Sequence, residues 1–294
     1  MKSRPYARKA ISAAVTFVFM LSTGISRATT PADKDKMKPE ELIAKHLESI
    51  GPAEARAAAA SRVVTGTVVV NFRQGGHGQA QGKAVFASQG AKNLMALVFG
   101  LVEYPHEKIG YDGQRVTISQ IRPGVRTVLG RFLSTSDLAF KEGLAAGTLS
   151  SAWPLLDMSS RSAKLQYDGL KKVDKRQLHA LKYSPPKSSG MKVVLFFDPE
   201  TFQHARTEYH QTLDSSVAAN KPGESVAQEE TRVDIVEEFS DFKPESKLVL
   251  PHGYKLQLEI KGPSGAVLYD WVVTLTGFEF GQLINDKEFN VESN

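Results

Sequence analysis

The spacing of apolar residues changes near residue 61, from the period of a helix to the period of a strand. Behind Pro39 the apolar residues fall three or four apart, and proline suits a first helical turn because its missing N–H would have no partner there. The pattern predicts a helix that ends at Gly51, with His46 at the edge of the core. The apolar positions of this helix are Leu42, Ile43, Leu47 and Ile50.

Beyond residue 61, apolar and polar residues alternate, which predicts β-strands with one face turned to a core. About a dozen such segments follow one another with close turns and no regular alternation with helices. We therefore expect a mainly β protein (α+β) with one large, strongly curved antiparallel sheet. One of the expected strands covers residues 126–129. The strand faces that carry apolar residues and no charge include Val68, Val70 and Phe72, then Phe86, and later Val193, Leu195 and Phe197.

Residues 134–157 interrupt the strands with an apolar segment that Gly143, Gly147 and Pro154 cut into short helical pieces. Since an open sheet must cover its apolar face, we expect these pieces to lie on it. The apolar residues of the segment include Leu144, Leu149, Trp153 and Leu156. Residues 212–231 are polar and are predicted to form a long mobile loop. No linker divides the chain, so one domain is expected over residues 39–294.

The N-terminal residues have the three parts of a secretory signal peptide. Four basic residues precede an apolar run of about sixteen residues, and a small-x-alanine sequence ends at Ala28. The apolar run is shorter than the roughly twenty residues that a membrane-spanning helix needs. We therefore expect a signal peptide over residues 1–28, cleavage after Ala28 and a flexible leader over residues 29–38. An uncleaved membrane anchor is the alternative.

Removal of residues 1–28 would change the charge of the protein. The full chain has 37 Lys and Arg against 32 Asp and Glu, and residues 1–28 hold five of the basic residues and none of the acidic ones. The mature chain is then formally neutral, which argues against a nucleic-acid partner. The chain has no cysteine, so disulfides, thiolate nucleophiles and a lipid-modified N-terminal cysteine are excluded. We expect a soluble periplasmic protein without a lipid anchor.

The sequence offers no recognisable catalytic or cofactor motif. It has no serine elbow, zinc-binding helix or phosphate loop of the known spacing. His204 and His210 are expected on one exposed strand face but about 20 Å apart, too far to share a metal. Glu237 and Glu238 are strand neighbours that point to opposite faces. We therefore predict neither an enzyme nor a metal or cofactor site. The alternative is an enzyme whose catalytic residues come together only in the fold and cannot be recognised from one sequence.

Several short segments, taken in their order along the chain, carry a family likeness. They are residues 41–51, 64–67, 111–113, 197–201, 206–209, 239–243, 248–251 and 278–289. Together they span most of the mature chain. In this order they resemble the outer-membrane lipoprotein-sorting proteins, the LolA/LolB-like superfamily of envelope proteins.

The resemblance implies a half-open β-barrel whose apolar inside is closed by helices, with residues 134–157 as a helical lid insertion. It also implies a monomeric carrier that shields the acyl chains of a lipoprotein or lipid between membrane-bound donor and acceptor proteins. In this family an arginine inside the barrel holds the lid, and Arg73 and Arg115 are the candidates because they lie on early strands. A regulatory or scaffolding module that grips a partner protein is the alternative function. A core filled by the protein's own helices is the alternative to a cavity.

Overall fold

An antiparallel sheet of twelve strands organises the part of the chain that the computed structural model describes, which is residues 37–187, 190–213, 230–263 and 265–292. The strands are β1 (Ser61–Gln74), β2 (Gln79–Gln89), β3 (Lys92–Phe99), β4 (His106–Tyr111), β5 (Val116–Ile118), β6 (Lys164–Val173), β7 (Arg176–Ser184), β8 (Met191–Phe197), β9 (His204–Leu213), β10 (Thr231–Glu245), β11 (Leu248–Gly262) and β12 (Gly265–Phe280). The helices are α1 (Pro39–Ile50), α2 (Ala53–Ala58), α3 (Val128–Leu133) and α4 (Leu138–Lys141), with 3₁₀ turns at Gly147–Leu149, Pro154–Ser160 and Asp286–Phe289.

The order of the strands leaves the sheet open. It runs β5-β4-β3-β2-β1-β12-β11-β10-β9-β8-β7-β6, and the pairing of β1 with β12 joins the two halves. Within the described ranges β5 and β6 are the two free edges, so the sheet forms a half-open barrel rather than a closed one. The predicted antiparallel sheet of about a dozen strands is confirmed.

The alternation along β1 shows which face of the sheet is inside. Val64, Val68 and Val70 are buried, whereas Thr65 and Thr67 between them are exposed. The inward residues of the other strands join these valines in one apolar core. Helix α1, which begins at Pro39 as predicted, packs against β6 and β11.

Four short helical pieces between β5 and β6 form a lid on the inside of the sheet, which we define as residues 128–160. The lid starts earlier than the sequence indicated, because residues 126–129 do not form the expected strand but lead into α3. Leu129, Phe132 and Leu133 have the spacing of one helix face and are all buried. The Thr127 side chain accepts the N–H of Gly130 at 2.9 Å and so caps the helix.

A β-bulge changes the expected orientation of His204. Phe196 pairs with Arg206, but Phe197 pairs with His204, so Ala205 is an extra residue in the ladder. The bulge reverses the alternation, and His204 is buried inside instead of sharing an exposed face with His210. His46 is also fully buried, rather than at the edge of the core.

Some predictions fall outside the residues that the structure describes. They are the signal peptide over residues 1–28, most of the leader over 29–38, and residues 214–229 of the predicted loop. The described residues belong to one compact unit, Asp35–Asn294. Among the described helices, none has the length and apolar character needed to cross a membrane.

Candidate ligand-binding site

The lid fills the inside of the half-open barrel. Its apolar side chains share one core with the inward residues of the sheet. The apolar gap beneath α3 and α4 leaves about 20 Å³, which is room for about one water molecule. Pockets for small ligands typically have about 300–1,000 Å³, so the lid has to move before the inside can hold a ligand. The gap is lined by Leu129, Phe132, Leu133, Ser136, Ala139, Phe140 and Ala145 from the lid and by Met95, Met191, Tyr209, Ile235, Glu237, Tyr254 and Leu256 from the sheet.

The apolar residues singled out in the sequence lie in this core or at its border. Phe72 is half-buried beside the rings of Tyr104 and Tyr269, and Leu156 is half-buried at the end of the lid. Phe86 and Leu149 meet at a second small gap between sheet and lid. The others are buried at positions where lid and sheet fill the interior: Val68, Val70, Val193, Leu195 and Phe197 from the sheet, with Leu144 and Trp153 from the lid.

Arg62 at the start of β1 fastens the lid from inside the barrel. Its side chain is 1% exposed, and its Nη1 donates to the carbonyl oxygen of Thr148 at 2.5 Å. Its Nε donates to the carbonyl oxygen of Ala59 at 3.1 Å. Burial lowers the pKa of the Arg62 guanidinium to about 10. Burying a guanidinium without a carboxylate partner costs several kcal/mol of folding free energy. Packing of the Arg62 side chain alone does not account for such a cost.

Arg73 and Arg115 do not hold the lid. Arg73 is mostly exposed on the outer face and pairs with Asp270, while the mostly exposed Arg115 lies 3.9 Å from Glu292. Odd-numbered positions of β1 face outward, and Arg73 lies at a register shift between Phe72 and Gln74, where its side chain is mostly exposed. Arg62 lies on the inward alternation of Val64, a signal that was present in the sequence.

Glu237 on β10 is a second inward charge that the pattern of apolar faces did not reveal. Its carboxylate accepts hydrogen bonds from the backbone N–H of Ala146 and from the hydroxyls of Tyr209 and Tyr254, all at 2.7 Å. Burial raises the pKa of Glu237, and the three donors oppose that shift. Glu238 lies on the outer face and pairs with Arg206, as expected for strand neighbours. Glu237 therefore binds the lid backbone at Ala146, two residues before Thr148, where Arg62 binds it.

Two uncharged side chains of the sheet also bind the lid backbone. Asn93 donates from Nδ2 to the carbonyl oxygen of Phe140 at 3.0 Å, and the Ser88 hydroxyl oxygen accepts the N–H of Ser151 at 2.8 Å. A net contribution of about 1 kcal/mol per bond is typical. The lid is thus held by a few polar contacts as well as by apolar packing.

Trp153 of the lid lies between two buried histidines. Its indole Nε1 donates to Nε2 of His46 at 3.1 Å, and its ring stacks on His204 with centroids 4.5 Å apart. Because His46 Nε2 accepts, its Nδ1 carries the proton and donates to the carbonyl oxygen of Phe202 at 3.0 Å. Burial lowers the pKa of His46 to about 4 and lowers that of His204 as well, so both are neutral at pH 7.

A buried carboxylate also marks the start of the lid. Glu107 on β4 accepts the hydroxyl of Thr127, the cap of α3, and the hydroxyl of Tyr104, each at 2.6 Å. Tyr104 in turn accepts the indole N–H of Trp271 at 3.0 Å. Burial raises the pKa of Glu107 to about 7. These bonds attach the first lid helix to the fixed part of the sheet.

Buried polar atoms without a hydrogen-bond partner concentrate where the lid meets the sheet. Within the described ranges there are six such side-chain atoms, and five of them lie at this contact. They are Arg62 Nη2, Asn93 Oδ1, Thr148 Oγ1, Ser151 Oγ and His204 Nδ1. Each unpaired buried group costs about 1–3 kcal/mol. The closed lid therefore carries a penalty that its release would remove.

The described residues hold no group of three or more His, Asp or Glu side chains arranged to bind a metal ion. The arrangement consists of an apolar interior, a lid of short helical pieces over it, and a few hydrogen-bonding groups of the sheet that face the lid. This combination suits the binding of a largely apolar ligand with a polar group at one end.

Comparison with known proteins finds no matching family model and no matching curated protein. Similar solved structures include a LolA superfamily protein from Nitrosomonas europaea, with 13% identity, a TM-score of 0.47, and coverage of 86% of this chain and 98% of that chain. A putative outer membrane lipoprotein-sorting protein domain from Vibrio parahaemolyticus has 12% identity, a TM-score of 0.43, and coverage of 85% and 97%.

A further similar structure is the MucA/MucB complex of Pseudomonas aeruginosa, with 12% identity, a TM-score of 0.21, and coverage of 83% of this chain and 100% of that chain. The names of the first two structures fall in the class that the sequence resembles. At these identities and TM-scores the comparison assigns no function, which has to come from the chain's own lid and barrel.

Proposed function

We propose that the protein is a non-catalytic carrier that binds an acylated ligand, a lipoprotein or a lipid, inside the half-open barrel after the lid has moved out. The observation that carries this proposal is the nature of the lid contact. The lid occupies an apolar interior, yet sheet side chains hold it by hydrogen bonds to its backbone, and several buried polar atoms at the contact stay unpaired. An occupant held in this way is exchangeable.

The proposed setting is the periplasm, with lipoprotein sorting to the outer membrane as the process. This rests on the signal-peptide pattern of residues 1–28, on the absence of cysteine and on the resemblance of the mature chain to the lipoprotein-sorting proteins. Donor and acceptor would be membrane-bound proteins.

The second candidate is a regulatory or scaffolding module that grips a partner protein on its outside. The observation that favours it is the small free volume under the lid, because an interior filled by the protein's own side chains is also what an ordinary core looks like. In that case the lid would never leave.

Trp153 distinguishes the two candidates. The chain has two tryptophans, so a Trp271→Phe variant leaves the lid indole as the reporter. We expect its emission to shift when the variant is titrated with a lipopeptide, and not with the same peptide without acyl chains. Binding would be followed separately by mass spectrometry of the complex. If no acylated ligand binds, the carrier function is wrong and the partner-binding module is favoured.

A further inference from the structure

Two peptide groups of the closed lid are held by side chains of opposite polarity. Arg62 donates to the carbonyl oxygen of Thr148, and Glu237 accepts the N–H of Ala146. These groups lie within three consecutive residues, so the Cα atoms concerned are at most about 7.6 Å apart. The sheet therefore presents an acceptor for an N–H and a donor for a carbonyl oxygen, spaced for two different peptide groups of one short segment.

We propose that, in the open state, Glu237 accepts the N–H of an amide at the base of the ligand's acyl chain while Arg62 donates to a carbonyl oxygen further along the ligand, so that the cargo is an amide-linked acyl compound rather than one with ester links only. This inference rests on the carrier function proposed above and names the polar chemistry of its ligand. The lid backbone is then a surrogate for the ligand: it closes the site by offering the same two groups.

The lid segment at this point has an unusual backbone. Ala146 has φ of +63° and Gly147 has φ of +49°, so two successive residues are in the left-handed region. For alanine this conformation is unfavourable. The strain weakens the contact between the lid turn and the buried carboxylate of Glu237. A ligand without this strain can therefore compete with the turn for Glu237.

Arg62 has more donors than the lid uses. Its Nη2 has no partner among the described residues, although the side chain is 1% exposed. A guanidinium is a planar fork that suits two acceptors side by side. Thr148 Oγ1 and His204 Nδ1 are unpaired at the same contact. A ligand with a second carbonyl next to the amide, as in an acylated peptide, would satisfy Nη2 as well.

Glu237 provides the discrimination between amide and ester. A carboxylate has about four acceptor positions, and the hydroxyls of Tyr209 and Tyr254, which belong to the sheet, use two of them. When the N–H of Ala146 leaves, an amide ligand replaces it and an ester ligand does not. Sites built around a hydrogen bond discriminate strongly against analogues that lack the group.

The test compares two lipopeptides that have the same acyl chain and the same peptide and differ only in an amide or an ester at the link. Affinity for the mature protein is measured by titration calorimetry. We expect the amide form to bind at least about tenfold more tightly. In Glu237→Gln the side-chain oxygen can accept from an amide link and the side-chain NH2 can donate to an ester link. The ratio of the two affinities should therefore fall towards one. Glu107→Gln, the matched buried carboxylate that accepts a tyrosine hydroxyl elsewhere in the barrel, should keep the ratio.

The outcomes separate this inference from the carrier function. Equal binding of the two lipopeptides to the wild type overturns amide recognition and leaves the carrier function standing, and this result needs no variant to fold. An unchanged ratio in Glu237→Gln also overturns it. If neither lipopeptide binds, the carrier function fails and amide recognition fails with it.

Discussion

Substituting Gly147 by alanine tests whether the lid can separate from the sheet. A Cβ at this position would lie 2.7 Å from His204 Nδ1 and 2.7 Å from Cζ of Phe239, closer than van der Waals contact. His204 and Phe239 belong to the sheet, whereas Gly147 belongs to the lid. The overlap therefore disappears when the lid leaves the barrel, and the substitution should favour the open state.

The magnitude follows from two contributions. Alanine in the left-handed region costs about 1 kcal/mol, because φ at Gly147 is +49°. Overpacking in a filled core adds about 1–3 kcal/mol. Gly90 provides a matched control: its φ is +59°, but a Cβ there would meet no atom within 4 Å. Gly90→Ala has the backbone cost alone, so the excess of about 1–3 kcal/mol belongs to the lid contact.

The assay is native-state hydrogen exchange of lid peptides, which measures the free energy of local opening. In Gly147→Ala we expect lid amides to exchange about 5- to 150-fold faster than in Gly90→Ala, with the amides of β1 and β12 little changed. Affinity for an acylated lipopeptide should rise by the same factor, because less free energy is needed to open the lid before the ligand binds. Equal lid exchange in the two variants would mean that the lid does not separate from His204 and Phe239.

Further variants test the individual contacts of the lid. Burial raises the pKa of Glu107 from 4.5 to about 7, so between these pH values the folded protein keeps a proton on Glu107 that the unfolded chain releases. The stability that this proton contributes is present at acid pH and is lost as the pH rises through 7. Relative to Glu107→Gln, the wild type should lose about 3 kcal/mol of unfolding free energy between pH 4 and pH 8, measured by urea titration at each pH; a constant difference would contradict this. Arg62→Met should accelerate lid exchange, whereas the matched Arg115→Met should not; the reverse result would restore Arg115 as the lid arginine. Leu144→Ala should lower the unfolding free energy by about 2–5 kcal/mol, since Leu144 is fully buried; a loss below 1 kcal/mol would mean that the lid is loosely packed.

The fold could be predicted from the sequence because its strongest signal is local. The alternation of Val64, Val68 and Val70 identifies a strand and its buried face without knowledge of any partner. The start of the lid is harder to predict, since residues 126–129 resemble a strand until the helical spacing of Leu129, Phe132 and Leu133 is given weight. The outward position predicted for His204 is wrong because a bulge depends on the register between two strands, which a single sequence does not contain.

The candidate site was harder to predict than the fold, although part of its signal was present. Glu237 follows Val233 and Ile235 on the same inward alternation, and Arg62 precedes Val64 in the same way. A charge at an inward position identifies a buried polar contact, but not its partner, because Ala146 and Thr148 are distant in sequence. The pattern of apolar residues does not distinguish an empty interior from a filled one, since a cavity and a core need the same apolar faces.

A reversible lock between lid and sheet tests whether the lid has to leave the barrel before a ligand can enter. The N–H of Ser151 lies 2.8 Å from the hydroxyl oxygen of Ser88, which keeps the two Cα atoms within the span of about 7 Å that a disulfide can bridge. Because the chain has no cysteine, the double variant Ser88→Cys, Ser151→Cys can form a single, unambiguous bond between lid and sheet. Binding of an acylated lipopeptide is measured before and after reduction of the same sample. If ligand and lid compete for the interior, the oxidised protein does not bind and the reduced protein does; equal affinity in both states would contradict the account.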